Sequence, residues 1–358
     1  MPGVYISYPF CAQKCTYCNF ASGVFPREIE AQYLGALRAE LRAAAWPWTP
    51  ETVYLGGGTP SQIDPQALAE ALAEIPGRAG GEKWSEATME AAPGTLTFEK
   101  AAAWACAGIN RVSLGVQSFI TTELARTGRK HTAAIVEREV ALLREAGIEA
   151  MNIDLIAGLP GQTRASWSES LDWIEKLGAP HVSVYMLEVD EDSRLGREIL
   201  GNGVRYGAAD VPAEDDIADF YELAVERLAR MGIERYEISN FARPGFESRH
   251  NLKYWRREPY LGFGADAHSF DGVMRWQNPE HAAEYAAGFP APQRVPADPK
   301  SEKFFLGLRL REGVQSGEFP EVIGRFEREG LLECSGGRVR LTPRGVLLSN
   351  EVFAEFVA

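Results

Sequence analysis

The chain has 358 residues, 45% hydrophobic and 24% charged, which is enough to bury one large core or two unequal ones. Its formal net charge of −13 argues against a broad nucleic-acid footprint and against binding to an anionic membrane surface. It contains no run of about 18 apolar residues to span a membrane and no secretory hydrophobic segment, so we expect a cytoplasmic protein with reduced thiols.

Short β-branched runs alternate with longer helical periodicities up to about residue 240. Six strands and a weaker seventh are predicted, at residues 4–7, 52–55, 88–91, 111–114, 150–155, 181–186 and 234–238. Apolar residues between them recur at helical spacing, as at Tyr33, Leu37 and Leu41. Repeated β–α units of this kind predict a parallel sheet with right-handed crossovers. The period alone does not separate an open sheet from a barrel.

Polar residues cluster at the carboxyl ends of these strands. A cysteine loop follows the first strand, three glycines (56–58) follow the second, and Glu90, Gln117 and Asp154 lie in or just after the next three. Barrel-type α/β folds build their sites at that edge, so this distribution favours a barrel. Each polar side chain is costly to bury unpaired, so we expect each to be hydrogen-bonded, either at a site or in a structural network.

The cysteine loop contains Cys11, Cys15 and Cys18 at C-x₃-C-x₂-C spacing. Thiolates this close together suit a soft metal or an iron–sulfur cluster, and three of them leave one iron of a four-iron cluster open. A disulfide framework is disfavoured because the five cysteines are odd in number, and a structural zinc site would need a fourth ligand. We interpret the remaining two, Cys106 and Cys334, as core residues.

The cysteine motif, with Tyr17 before its third cysteine, resembles the signature of the radical S-adenosylmethionine (SAM) superfamily. Further segments resemble the oxygen-independent coproporphyrinogen III oxidase group of that superfamily: residues 4–6, 56–60, 89–94, 113–119 and 152–160. The resemblance implies an α/β fold, a partial (β/α)₆ TIM-like barrel followed by a C-terminal winged-helix-like domain.

The same resemblance implies that Cys11, Cys15 and Cys18 ligate a 4Fe–4S cluster whose open iron binds SAM. It implies nine SAM-binding positions: Tyr5, Tyr17, Gly57, Gly58, Thr59, Glu90, Gln117, Arg129 and Asp154. From the residues alone, a plain tight turn is the alternative for the glycines, and Arg129 could equally be a solvated surface cation. Members of the superfamily cleave SAM reductively, which implies a reductant as partner; the sequence leaves open whether this chain does so.

Two features separate the branches of the group. The decarboxylating oxidases carry a fourth cysteine two positions after the third, where this chain has Phe20. The segment His250-Asn251-x-x-Tyr254-Trp255 instead resembles the haem chaperone branch, HemW. This implies haem as cargo, a haem-accepting protein as partner, and His250 as a haem-binding residue. The alternative is an enzyme that oxidatively decarboxylates coproporphyrinogen III through hydrogen abstraction.

Chemistry is compatible with haem at this motif. A neutral imidazole is a good ligand for haem iron, and Tyr254 and Trp255 are suited to flank the macrocycle. Four basic residues are available for the propionates: Arg249, Lys253, Arg256 and Arg257. The simpler reading is that His250 hydrogen-bonds backbone in an irregular loop; His268 is a weaker second candidate.

Three regions are predicted. Residues 1–240 form the radical SAM core, residues 241–297 an irregular connection that carries the histidine motif, and residues 298–358 the winged-helix-like domain. Prolines between 290 and 299 mark the last boundary. The tail reads helix, helix, hairpin with a turn at 335–337, and helix, and the acidic balance favours a packing or lid role over DNA binding.

Overall fold

The computed structural model describes residues 2–77 and 84–357. Within them, six parallel strands lie side by side in chain order and form the core of one large sheet. They are β1 (Gly3–Tyr8), β2 (Thr52–Gly57), β3 (Glu86–Ala91), β4 (Arg111–Gln117), β5 (Ala150–Ala157) and β6 (His181–Met186). The predicted partial six-stranded barrel is confirmed, and all six carboxyl ends meet at one edge.

Helices cover the outside of these strands. They are α1 (Arg27–Ala43), α2 (Pro65–Leu72), α3 (Phe98–Cys106), α4 (Thr121–Thr127), α5 (Ala133–Glu145), α6 (Arg164–Leu177), α7 (Arg194–Leu200) and α8 (Glu214–Arg230). Tyr33, Leu37 and Leu41 of α1 are buried as predicted, because they share one face of the helix. Of the helices in the described segments, none combines the length and apolar character that a bilayer span requires.

Several strands run further than their β-branched residues indicate. β2 extends to Gly57 because the ladder with β1 continues through Ser7↔Gly56 and Tyr8↔Gly57, and a backbone ladder does not depend on side chains. The predicted strand 234–238 is wrong in length. Only β7 (Glu234–Arg235) forms, since the N–H groups of Tyr236 and Glu237 turn back to the carbonyl of Asn240.

The expectation of irregular structure between 241 and 297 is also wrong. This segment contains α9 (Arg249–Trp255) and α10 (Ala282–Ala287), and it continues the large sheet through β8 (Asn240–Ala242), β9 (Tyr260–Phe263), β10 (His268–Phe270), β11 (Met274–Gln277) and β12 (Val295–Pro296). β9 pairs in parallel with β1, and β8 pairs antiparallel with β6. Strands of two to four residues are too short to show a period in sequence.

The C-terminal segment contains the predicted two helices and hairpin, but it adds a short strand between the helices and ends in two short helices where one was predicted. It contains α11 (Pro299–Gly307), β13 (Val314–Gln315), α12 (Pro320–Arg328), β14 (Leu332–Ser335), β15 (Arg338–Leu341), α13 (Pro343–Leu347) and α14 (Ser349–Ala354). The hairpin turns through Gly336 and Gly337, both with positive φ, which favours glycine. Phe304, Phe319 and Phe356 pack their rings together in its core. The three regional boundaries remain a prediction.

Candidate functional site

The cysteine loop follows β1 at the carboxyl edge of the barrel, and backbone contacts fix it at both ends. Cys11 N–H donates to the carbonyl of Gly23 at 2.8 Å, and Thr16 N–H donates to the carbonyl of Thr127 at the end of α4 at 3.2 Å. The carbonyl of Thr16 accepts from Leu195 N–H at the start of α7 at 2.8 Å. The loop is therefore held between β1, α4 and α7.

The three thiols of the loop are free, half-buried and close enough to influence one another. Burial raises the pKa of Cys11, hydrogen bonds from Thr59 and Ser22 oppose the rise, and Cys18 and Cys15 add to it. In the described residues, no group of three or more His, Cys, Asp or Glu converges on a single metal ion. A four-iron cluster does not require three ligands on one ion, since each thiolate binds its own iron.

The remaining two cysteines are exposed, which corrects their assignment to the core. Cys106 ends α3 on its outer side. Cys334 lies on β14, an edge strand of the small sheet whose last three residues are all exposed. Isolated cysteines in apolar sequence are thus poor indicators of burial when they lie at the end of a helix or on a sheet edge.

The glycine loop after β2 packs against the residues that lead into Cys11. Gly57 has φ +108°, a conformation that side chains disfavour. A Cβ on Gly58 would lie 2.7 Å from the carbonyl oxygen of Phe10, so only glycine fits there. Thr59 N–H donates to that same oxygen at 2.9 Å, and Thr59 Oγ1 donates to Cys11 Sγ at 3.5 Å. The loop therefore serves the fold and also brings Thr59 to the first thiol.

Glu90 near the end of β3 is held by two groups of the neighbouring strand β2. Its Oε1 accepts from the hydroxyl of Tyr54 at 2.8 Å and its Oε2 accepts from Gly57 N–H at 3.2 Å. Burial raises the pKa of Glu90 to about 7 against the effect of the Tyr54 bond, and Asp154 adds to the rise. The ring of Tyr5 stacks on that of Tyr54, with centroids 6.1 Å apart. Glu90 is poised to change charge near neutral pH.

Arg129 connects the cysteine loop to the barrel wall and is not the surface cation that remained an alternative. Its Nε donates to the hydroxyl of Tyr17 at 3.1 Å, and its Nη1 donates to the carbonyl of Gly115 at 2.6 Å. A bulge between Leu114 and Gln117 in β4 leaves Gln117 with φ +70°. Among the described residues, Oε1 of Gln117 is buried without a hydrogen-bond partner, which is costly unless a ligand supplies one.

Asp154 belongs to a polar network across three strands. Its carboxylate accepts from Ser113 Oγ at 3.1 Å and from Asn152 Nδ2 at 2.7 Å, and Asn152 Nδ2 also lies 2.9 Å from Ser183 Oγ. Burial raises the pKa of Asp154, while the hydrogen bonds and Arg129 act in the opposite direction. Eight of the nine proposed SAM-binding residues lie near the ends of the strands or on the loops beyond them, and Tyr5 stacks beneath them.

The sequence analysis did not identify several polar residues of the same and neighbouring strands. They are Tyr54, Ser113, Asn152, Ser183 and Tyr185. They line a small polar cavity inside the barrel together with Glu90 and Asp154. The sequence did contain a pattern that could have identified them, because residues that point into a barrel occur at every second position along each strand. Asn152 with Asp154 and Ser183 with Tyr185 are spaced by two in β5 and β6.

His250 lies at the opposite end of the barrel from the cysteine loop. Its ring is fully buried beside the first residues of β1 and β2, with Nδ1 2.9 Å from Thr52 Oγ1 and Nε2 2.8 Å from the hydroxyl of Tyr254. Six-residue strands span roughly 17 Å, so His250 is distant from the cysteine loop. Its ring nevertheless packs on that of Tyr54, with centroids 5.3 Å apart, and Tyr54 donates to Glu90. Both ring nitrogens are occupied, and burial lowers the pKa of His250 to about 3.

The carboxyl-edge residues fit a 4Fe–4S cluster and SAM. Three free thiols on one anchored loop suit iron, the unpartnered Oε1 of Gln117 suits a ligand that donates a hydrogen bond, and the carboxylate of Glu90 suits a cationic one. His268 is a weaker fit to a haem role, as its side chain is exposed on β10 at the far end of the sheet.

Comparison with known proteins identifies the class. The radical SAM superfamily model matches residues 5–174, and the HemN C-terminal domain model matches residues 296–348. Coproporphyrinogen III oxidase (HemN) from Escherichia coli superposes with a TM-score of 0.82 at 21% identity, over 99% of this chain and 90% of that one. The fold and the cysteine loop therefore define a radical SAM protein.

Full-length relatives narrow the class to one family. The chain is 38% identical to the haem chaperone HemW of Mycobacterium tuberculosis H37Rv, over 98% of this chain and 93% of that protein. It is 34% identical to HemW of Lactococcus lactis over 99% and 96%, and 31% identical to HemW of Escherichia coli K12 over 99% and 98%. The chain belongs to the HemW family.

Proposed function

We propose that this protein is a haem chaperone: it binds haem and passes it to an acceptor protein, on a radical SAM core. The observation that carries this proposal is similarity to curated haem chaperones of several bacteria over nearly the whole chain, at up to 38% identity. Thiols that are to hold an iron–sulfur cluster must stay reduced, so we place the protein in the cytoplasm.

Within this proposal Cys11, Cys15 and Cys18 hold a 4Fe–4S cluster at the carboxyl edge. SAM is held by nine residues: Tyr5, Tyr17, Gly57, Gly58, Thr59, Glu90, Gln117, Arg129 and Asp154. A cluster bound here would supply an open iron for SAM and, with a reductant, an electron to its sulfonium. Arg129 orients Tyr17 at the loop, and Glu90 offers a carboxylate of adjustable charge to a cationic ligand.

Oxidation of coproporphyrinogen III is the competing function, and it rests on weaker support. The likeness to the oxidase is 21% in sequence and shows the fold alone. Position 20, where the oxidases carry a further cysteine, holds Phe20, whose side chain is 65% exposed. No thiol stands there, and we therefore favour the chaperone.

We further propose His250 as a ligand of haem iron. Its low pKa keeps the imidazole neutral, which is the form that binds iron. Ligation requires one ring nitrogen to lose its present partner: Nδ1 would have to leave Thr52, or Nε2 would have to leave Tyr254. The proposal thus includes a local movement of α9, whose exposed face is described below.

The test is anaerobic reconstitution of the full chain followed by titration with SAM and with haemin. We expect saturable haem uptake at a defined stoichiometry, transfer to an apo-haem acceptor, and no protoporphyrinogen from coproporphyrinogen III. Efficient turnover of coproporphyrinogen III would overturn the chaperone assignment in favour of the oxidase. Failure to bind haem would overturn it outright.

A further inference from the structure

A cavity of about 520 Å³ lies between α9, the end of the large sheet and the small C-terminal sheet. Arg235 and Tyr236 line it from β7 and the turn after it, Leu252 from α9, and Leu310 and Arg340 from the C-terminal segment. Cavities of this size are typical of sites for small organic ligands. Because α9 docks at the amino ends of the barrel strands, this cavity is separate from the cysteine loop at their carboxyl ends.

The charge of the cavity is opposite to that of the chain. Four arginines and two glutamates line it, in a protein with a net charge of −13, although Glu234 and Glu333 outside the lining pair with Arg311 and Arg340. The arginines are Arg235, Arg256, Arg311 and Arg340. Arginine recognises carboxylates in a bidentate manner, so the four arginines suit a ligand with two carboxylates.

The arginines are available for exchange. Arg256 lies 3.5 Å from Glu312, and Arg340 lies 2.6 Å from Glu333, with side chains about half exposed in both pairs. Exposed ion pairs of this kind contribute little to stability, because solvent screens them. A ligand carboxylate that enters the cavity can therefore replace the glutamate at little cost.

The remaining lining is apolar or aromatic. Leu252, Leu310 and Tyr236 belong to this lining, and the aliphatic parts of the arginines add to its apolar surface. Such a lining suits a flat, hydrophobic body that carries charge at one edge. Simple polyanions such as nucleotides gain nothing from the two leucines.

The two faces of α9 divide the histidine motif. His250 and Tyr254, four residues apart, contact each other and the barrel. Leu252 and Arg256, also four residues apart, line the cavity. The motif that resembles the haem chaperones thus presents its intervening Leu252, and not its histidine, to the open space.

We propose that this cavity binds haem through its two propionates, which pair with the arginines while one edge of the macrocycle contacts the leucines and Tyr236. The inference rests on the proposed haem cargo and deepens it by locating the cargo. His250 lies on the opposite face of α9 from this cavity, so iron ligation by His250 is a separate proposal that requires the movement of α9 described above.

The test uses the full-length reconstituted protein and two probes, haemin and iron-free protoporphyrin IX, which share propionates but differ in the metal. We expect Arg311→Ala with Arg340→Ala to weaken binding of both probes by about tenfold or more, because charge-assisted hydrogen bonds are lost. Arg311→Lys with Arg340→Lys should restore part of the affinity. The matched control, Arg328→Ala with Arg344→Ala, removes two exposed arginines outside the cavity and should leave both affinities unchanged.

Each other outcome is decisive. Wild-type affinity for both probes in the Arg311/Arg340 alanine variant would overturn the cavity while leaving the haem chaperone function intact. An equal loss of affinity in the Arg328/Arg344 control would show that only overall charge matters, and would also overturn the cavity as the haem site. Absence of haem binding by the unaltered protein would overturn the cavity and the proposed function together. Unchanged cluster absorbance in every variant shows that the core is folded.

Discussion

The hydroxyl of Tyr54 donates to Glu90 Oε1 over 2.8 Å, joining β2 and β3 inside the barrel. The bond lowers the pKa of Glu90, yet burial dominates and the pKa reaches about 7. The ligand-free protein therefore holds this carboxyl partly protonated at neutral pH. A cation in the site would shift it toward the ionised form.

This gives a prediction on stability and pH. The pKa of Glu90 is higher in the folded chain than the ordinary value of 4.5. The stability that protonated Glu90 contributes to the folded state is therefore fully present below pH 4.5 and is lost as pH rises through about 7. Glu90→Gln should abolish this decrease of stability with pH, because the amide does not ionise. At pH 8 the free energy of unfolding of the ligand-free variant should exceed that of the unaltered protein by about 2 kcal/mol. Denaturant unfolding between pH 5 and 8 measures it.

The matched control is Glu28→Gln, an exposed position on α1. It should keep the pH dependence of the unaltered protein. If Glu90→Gln and Glu28→Gln show the same slope of stability against pH, Glu90 does not carry a raised pKa.

A second prediction concerns the cluster. Cys15→Ala removes one of three thiols on the anchored loop, so the reconstituted protein should lose its iron, its sulfide and its charge-transfer absorbance. Cys106→Ala removes an exposed thiol at the end of α3 and should retain all three. Full iron and sulfide content in Cys15→Ala would contradict the assigned ligand set.

The sequence alone placed residues at the carboxyl edge of the barrel more fully than at the amino end of the barrel. Cys11, Glu90, Gln117 and Asp154 follow successive strands, and parallel topology then brings strand ends together without further information. The bonds that fix them came from inward-facing partners such as Tyr54, whose role depends on which strand lies beside which. Strand neighbours and registers are long-range facts that local patterns do not contain.

The position of His250 shows the limit more clearly. The resemblance of its motif to the haem chaperones implied a ligand, but the sequence could not show that Thr52, 198 residues away, holds the other ring nitrogen. Nor could it show that the supposed connecting region continues the barrel sheet through β9. Both follow from tertiary packing of very short elements.

A third prediction tests iron ligation by His250. The hydroxyl of Tyr254 competes for Nε2 of His250, so Tyr254→Phe should release the ring and strengthen haem binding by about fivefold. Iron-free protoporphyrin IX should bind unchanged, because it has no metal to ligate. Absorbance titrations with haemin and fluorescence titrations with protoporphyrin measure the two.

His250→Gln serves as the opposing variant, since the amide can still bond to Thr52 but is a poor ligand for haem iron. It should weaken haemin binding and leave that of iron-free protoporphyrin alone. Equal haemin affinity in Tyr254→Phe, His250→Gln and the unaltered chain would restrict His250 to its structural contacts.

A fourth prediction concerns Glu86, the buried first residue of β3. Its carboxylate accepts from Ser248 Oγ at 3.1 Å and from the N–H groups of Arg249 and His250 at 2.9 Å each, and it lies 3.9 Å from Arg111 Nη1. These contacts dock the first turn of α9 onto the barrel. Since α9 carries both His250 and the cavity residue Leu252, Glu86 positions the whole proposed haem region.

Glu86→Gln replaces an acceptor oxygen by an amide that faces N–H donors, so we expect a loss of about 3 kcal/mol in the free energy of unfolding. Haemin affinity should fall with it, while SAM affinity, measured by calorimetry on the folded reconstituted protein, should stay the same because the carboxyl edge is a strand length away. Glu169→Gln, exposed on α6, should change neither quantity. A variant at Glu86 that bound haemin normally while losing SAM would place the haem region at the carboxyl edge and separate α9 from it.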